Sequence, residues 1–326
     1  MNPADNYRIV RSIFLTGIAL LIYLFPEHGL TQQTIIKNGF NLSNSIVSAD
    51  KIISGGVPRD GIPAITKPRL ITAEQAGFLE PDDRVIGVYR NGTTKAYPTK
   101  ILNWHEIVND TIGGRNIVVT YCPLCNSGIV FATPGASSRM YFGVSGLLFN
   151  NDVLLYDVET ESLWSQVLGQ SISGDYRGQS LEMIPAAHTT WSDWKSRYPN
   201  TLVLSRDTGY SRDYSKNPYL AYSQNQSVMF DLAHESSQYE KKELVLGLRY
   251  NGKQRAYPFT ELKAVGNSRI DDEFAGEKLT IEWHERDNYA RVLDQDGNEI
   301  PSVITYWFAW YAFFPDTSIF AKKETR

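Results

Sequence analysis

The feature that most constrains this chain is a segment that occurs twice. Val85-Ile-Gly-Val-Tyr-Arg-Asn-Gly-Thr-Thr-Lys-Ala-Tyr-Pro98 returns as Val245-Leu-Gly-Leu-Arg-Tyr-Asn-Gly-Lys-Gln-Arg-Ala-Tyr-Pro258, with the Gly, the Asn-Gly and the Ala-Tyr-Pro in register. After a short indel the match resumes: Asn109-Asp110 and Gly114 to Tyr121 against Asp271-Asp272 and Gly276 to Trp283. The two copies run from about 84 to 125 and from about 244 to 287. Two copies are too few for a solenoid, so the repeat is a duplicated substructure inside one fold. Asn-Gly between alternating runs predicts a hairpin, because both residues tolerate positive φ. The proline after Ala-Tyr suits the first turn of a helix, over Thr99 to Val108 in the first copy and Phe259 to Val265 in the second. A glycine turn then leads into a β-branched strand, Ile117 to Tyr121 or Leu279 to Trp283. Each unit therefore reads as hairpin, helix, strand.

Between the copies, Gly128 to Ala132, Met140 to Val144, Val153 to Tyr156 and Ser162 to Gln166 read as strands. One helix interrupts them, since Thr190-Trp-Ser-Asp193 has the spacing of a capping box and Pro199 ends the helix it starts. The expected fold class is α+β: a strand-dominated single domain, over residues 61–320, with an internal duplication of the hairpin-helix-strand unit. The aromatic run Tyr306 to Phe314 reads as core.

The N-terminus has the order of a transport signal. Arg8 and Arg11 precede an uncharged, Leu- and Ile-rich stretch from Ser12 to Phe25, and Pro26 ends it. As a helix that stretch spans about 21 Å, against a hydrocarbon core of roughly 30 Å. Residues 1–31 are thus expected to be a signal peptide, with a retained N-terminal anchor as the alternative. Residues 32–60, polar and rich in Asn and Ser, read as a tether. A net charge of -4 with both signs interspersed provides no basic stripe for nucleic acid. The expected localisation is exported, periplasmic or at the cell surface, and membrane contact is expected only through the N-terminus.

Chemistry concentrates around two cysteines, Cys122 and Cys125, in a single Cys-Pro-Leu-Cys. In an exported protein such a pair is a disulfide, a thiol-redox pair or two metal ligands. The residues after the second cysteine read as turn and strand rather than helix, which argues against a thioredoxin fold. His105, on the expected first-copy helix, adds an imidazole, and thiolates with imidazole suit copper or zinc. Met140, His188 or His234 would be available to close such a site. In the second copy His284 stands at the place of Cys122 and Asp287 at that of Cys125, so that copy lacks the thiols. Glycines, amides and carboxylates from Gly143 to Gln166 read mostly as turn chemistry. Asp152, Glu161 and Gln166 are the candidates there for lining a polar pocket, with His284 as a candidate from the second copy.

Tyr121-Cys-Pro-Leu-Cys-Asn-Ser-Gly128, Gly143-Val-Ser-Gly-Leu-Leu with Asn-Asp152, Tyr156-Asp157 with Ser162-Leu-Trp164, and Trp307 to Thr317 occur in this order. Together, over about Pro68 to Phe320, they resemble domain-of-unknown-function family 3179. The resemblance implies an exported prokaryotic protein and carries no particular activity. Three functional classes stay open. The first is a soft-metal or thiol-redox site at Cys122, Cys125 and His105. The second is a ligand- or partner-binding module whose cysteines form a structural disulfide. The third is a Cys-His hydrolase with Cys122 as nucleophile and His105 as base.

Overall fold

In the computed structural model of the chain, which describes residues 34–134 and 140–322, Asn91 and Gly92 adopt positive φ of 48° and 77°. Asn251 and Gly252 do the same at 48° and 73°. These left-handed pairs close Arg84–Arg90 on Thr93–Pro98 and Leu244–Tyr250 on Lys253–Pro258. The registers match position by position: Val85 faces Pro98 and Gly87 faces Ala96, as Val245 faces Pro258 and Gly247 faces Ala256. A helix comes after each hairpin, Thr99–Leu102 and Phe259–Val265, with Pro98 and Pro258 at the N-caps.

The first helix is shorter than its sequence pattern indicates, which corrects the expected span to Val108. Ile107, Val108, Thr111 and Ile112 are β-branched and join the strand Ile107–Ile112, which pairs with Arg115–Cys122. Gly113 and Gly114, both at positive φ, turn that hairpin. The second unit has the same arrangement, Arg269–Phe274 against Glu277–His284. The unit is therefore hairpin, helix, hairpin.

Correspondence runs further along the chain than the repeated sequence does. The strand Ala187–Thr190 pairs antiparallel with Arg84–Arg90, and Ser302–Tyr306 with Leu244–Tyr250. Each leads into a helix, Trp191–Arg197 or Trp307–Phe313. The capping expected at Thr190 is present, its hydroxyl accepting from the Asp193 backbone N–H. Trp194 Nε1 donates to Thr201 Oγ1 at 3.0 Å, and Trp310 Nε1 to Thr317 Oγ1 at 2.9 Å. Each indole lies flat against a strand glycine: a Cβ on Gly87 would meet the Trp194 ring at 2.3 Å, and one on Gly247 the Trp310 ring at 2.3 Å. Gly87→Ala and Gly247→Ala are accordingly expected to cost at least about 1–3 kcal/mol each, since the ring must leave its slot. Two denaturation curves check this, and a neutral result at either position would contradict the slot geometry.

The body is strand-dominated, at 41% strand against 12% helix, so pairing rather than helix packing organises it. Six sheets are present among the described residues. One has the order Gln170–Ser173, Leu163–Ser165, Asp152–Asp157, Phe142–Phe149 and, at its edge, Ile52–Ser54. That edge strand overturns the tether reading. Phe40, Leu42 and Ile52 are 2% exposed or less and share a core cluster with Leu147, Leu154 and Tyr156. Asn38 donates its side-chain amide to the carbonyls of Val57 and Ser145, and Gly55 N–H bonds Gly146 O. Burying three such side chains contributes several kcal/mol. A chain beginning at Gly55 should therefore melt at least about 5 °C lower than the full chain. An unchanged midpoint would restore the tether.

Residues 1–31 lie outside the described residues, and so does the expected signal segment. Among the described residues no helix is long and apolar enough to cross a membrane. The C-terminal aromatics are core as expected, with Trp307, Phe308 and Trp310 buried.

Candidate metal and thiol site

Cys122 is the last residue of the strand Arg115–Cys122, and it faces Ser127 at the start of Ser127–Ala132. The connection Cys122-Pro-Leu-Cys125-Asn126 is closed by Asn126 in the left-handed region, φ 52°. Thr305 Oγ1 and Tyr306 N–H donate to the Cys125 carbonyl at 2.8 and 3.0 Å, fixing the loop from the other side.

The facing element is a two-residue turn, Asn150-Asn151, with φ of 53° and 63°. It joins Phe142–Phe149 to Asp152–Asp157, where Phe149 faces Asp152. Asparagine tolerates this backbone better than other non-glycine residues, which is why the pair makes a tight hairpin. Its side chains are tied down: Asn151 exchanges two hydrogen bonds with the Phe230 backbone at 2.8 Å each. The Asn151 carbonyl consequently points at both thiols, 3.6 Å from Cys122 Sγ and 3.3 Å from Cys125 Sγ.

Asp152 comes directly after that turn. Its Oδ2 accepts from the Val167 N–H at 3.0 Å, while Oδ1 is buried with no partner. Ligand atoms of Cys122, Cys125 and Asp152 all lie within 4.8 Å of one another, and all three residues have no exposed surface. The cysteines are free thiols 3.5 Å apart, not a disulfide.

A fourth acid belongs to this neighbourhood, and the sequence reading missed it. Glu106 ends the turn after the first helix, is buried, and has φ of 55°. Burial pushes its carboxyl up to about 8, and the charge of Asp152 adds to the rise. Asp152 itself is pushed up to about 7 by burial, against the pull of the Val167 and Val153 N–H groups and the Cys122 thiol. Burial also raises Cys122; the Cys125 hydrogen bond opposes this, while Asp152 and Glu106 reinforce it. Cys125 rises well above the usual thiol range, chiefly through burial. Four acids thus share one buried place, and burial there favours their protonated forms.

His105 is not part of this group, contrary to expectation. The helix ends at Leu102, so His105 lies in the turn, where Nδ1 meets Pro63 O and Nε2 meets Tyr214 Oη, both at 2.7 Å. With both nitrogens engaged and Tyr210 and Tyr214 against its ring, it is a satisfied core histidine. Met140 packs in a hydrophobic cluster, His188 is buried edge-on to Tyr121, and His234 is exposed.

The four expected pocket residues do not line one pocket. Only Asp152 is in the group. Gln166, wholly buried, ties strands together: it accepts from Ser127 Oγ at 2.7 Å and donates to Thr120 Oγ1 at 2.9 Å. Glu161 is a surface residue paired with Arg59 at 2.8 Å. His284 lies with Asp193 and Asp287, ligand atoms again within 4.8 Å. His284 and Asp287 occupy the loop matching the cysteine loop, Asn288 at φ 42° matches Asn126, and Asp193 comes from the helix Trp191–Arg197. Its electrostatics are opposite. Arg197 Nε bonds Asp193 at 3.1 Å, Arg84 bonds the Asp287 backbone carbonyl, and Thr190 Oγ1 donates to Asp287 at 2.6 Å. Arg197 pairs with the Asp193 carboxylate, and the positive charge of Arg84 acts on Asp287 and Asp193, which weakens the attraction for a cation.

No curated protein and no solved structure matches the chain. The family described as "Protein of unknown function (DUF3179)" matches residues 59–317, most of the chain and the whole of the site described above, and the chain belongs to that family.

Proposed function

We propose that Cys122, Cys125 and Asp152 bind a thiophilic divalent metal ion, zinc being the best matched. One observation carries the reading: two free thiols converge with a carboxylate that has one oxygen without a hydrogen-bond partner, and none of the three residues has exposed surface. Tetrahedral zinc with bonds of about 2.3 Å sets two thiolate sulfurs about 3.8 Å apart, close to the 3.5 Å between these cysteines. A carboxylate is a hard donor, so adding one to two thiolates favours zinc over copper(I). A dication would also offset the buried acids when they ionise.

Burial argues against the competing readings. Thiol-disulfide exchange with another protein needs a thiol that the partner can reach, and both thiols have no exposed surface. A Cys-His hydrolase needs a base beside the thiol, whereas His105 is committed to Pro63 and Tyr214. Oxidation of the pair to a disulfide is the remaining rival, because the sulfurs need approach by only about 1.5 Å to reach bonding distance.

The reading extends to origin and location. We take the two units to descend from one duplicated ancestor, supported by their common registers and by the matched tryptophan–threonine bonds. The chain is taken as exported, on the basic, apolar and polar order of residues 1–31. Cell fractionation with N-terminal sequencing tests that, and cytoplasmic full-length protein would refute it.

Elemental analysis of untagged protein from its native compartment, followed by zinc titration of the reduced, metal-free chain against a chromophoric chelator, tests the metal reading. One zinc per chain is expected. Absence of uptake, or cysteines quantitatively oxidised in native protein, overturns it.

A further inference from the structure

A group with no exposed surface needs a way in for its ion. A cavity of about 90 Å³ lies beside it, large enough for a few waters, bounded by Gly55, Val57, Leu124, Val153, Tyr219 and Met229. Met229 in its wall is 52% exposed, whereas Leu124 and Val153 pack in one cluster with Cys122 and Cys125. Its wall is apolar almost throughout. Glu106 is the one carboxylate on it, and it shares that wall with Leu124, Leu148 and Val153 of that same cluster.

The backbone at Glu106 gives a second, independent reason to single it out. A φ of 55° is unfavourable for glutamate, costing about 1 kcal/mol or more. The second unit makes the same passage from helix to strand with Gly266 in the left-handed position, the ordinary solution. There the residue matching Glu106 is Ser268: Trp283 N–H bonds Ser268 O as Tyr121 N–H bonds Glu106 O. A strained glutamate where the parallel unit does without both strain and charge is held for its side chain.

We propose that Glu106 is a relay ligand, taking a divalent ion from the cavity and passing it to Cys122, Cys125 and Asp152. This rests on the metal reading of that group. An apolar passage strips the ion of water, and a carboxylate part-way along replaces some of that hydration, which lowers the barrier to crossing. Glu106 does not remain a ligand, since its oxygens are not among the atoms that converge within 4.8 Å. Its proton leaves to solvent when the ion arrives and returns when the ion moves on.

The test is stopped-flow zinc uptake by the reduced, metal-free full chain, with zinc dissociation followed by chelator competition. Glu106→Gln keeps the shape and cannot ionise. Glu106→Gly removes the side chain and suits the backbone. Both variants are expected to slow uptake and release together, at least 10-fold, while stoichiometry and Kd stay within about 3-fold of wild type. Unchanged rates with intact binding overturn the relay alone. A weakened Kd with unchanged uptake overturns it too, because Glu106 is then a resident ligand. A wild-type chain that takes up no zinc overturns the metal reading and this inference with it. A merely structural glutamate would move the melting point and not the rates.

Discussion

Cys122→Ser lowers the zinc affinity of the reduced chain by about two to three orders of magnitude, and Cys122→Ser with Cys125→Ser removes measurable binding. The magnitude comes from structural zinc sites, in which about 10–16 kcal/mol is shared among four ligands, or roughly 2.5–4 kcal/mol per ligand. A serine hydroxyl hardly ionises near neutral pH, so it cannot take the thiolate's place. The fold should persist: serine is no larger than cysteine, and the Asn151 carbonyl keeps Cys125 Sγ as a partner at 3.3 Å. His284 and Asp287 occupy the matching positions of the second loop without any thiol. Chelator competition on both variants, beside their melting curves, measures the effect. Stoichiometric zinc in the double variant would move the site elsewhere, with Asp193, His284 and Asp287 the next group to examine. We do not expect that group to compensate, because Arg197 already pairs with Asp193 and the charge of Arg84 acts on both carboxylates.

The hairpins and second helix were legible because their signals are local. Asn-Gly fixes two positive φ values, and Ala-Tyr-Pro fixes where the strand stops. The first helix was misread because Thr99 to Val108 has acceptable helix composition, yet Ile107 and Val108 find strand partners in Thr120 and Val119. Tertiary pairing overrides a weak local preference. That one error also misplaced His105. The segment 32–60 hid its role for a different reason: only Phe40, Leu42 and Ile52 are deeply buried, too sparse a set among Asn and Ser to display a period. Farther along, Trp191-x-x-Trp194 with Tyr198-Pro199-x-Thr201 parallels Trp307-x-x-Trp310 with Phe314-Pro315-x-Thr317. This went unread because the insert after the first unit separates it so far from its hairpin.

The site divided in the same way. Cys122 and Cys125 announce themselves as a pair, and Asp152 was singled out as an exception to turn chemistry. The link between them is the Asn150-Asn151 turn, whose geometry depends on the Phe230 backbone, a contact between residues 79 apart in the chain. No spacing rule reaches that far. Glu106 carried one weak signal, a carboxylate beside the histidine that drew attention, directly ahead of a β-branched strand.

The metal-free chain is expected to lose stability as pH rises from about 5 to about 8, opposite to the trend set by paired carboxylates. Glu106 titrates near 4.5 when unfolded and at about 8 when folded, and Asp152 moves from 3.8 to about 7. Between those limits the folded state binds more protons than the unfolded state, so unfolding releases protons and becomes easier at higher pH. The favourable contribution is complete below about 4 and is gone above the folded values. For Glu106 alone the rise corresponds to about 4–5 kcal/mol at 1.36 kcal/mol per pH unit, an upper figure because Asp152 contributes to it. Glu106→Gln and Asp152→Asn should each flatten the profile and raise the midpoint at pH 8. Saturating zinc should reverse the slope for the wild-type chain, since the metal takes thiolates and carboxylate in their ionised forms and gains affinity as protons leave. Urea midpoints at pH 5, 6.5 and 8, with and without zinc, separate these effects. A flat wild-type profile without metal would mean that the acids are solvated and that the site is not a closed one.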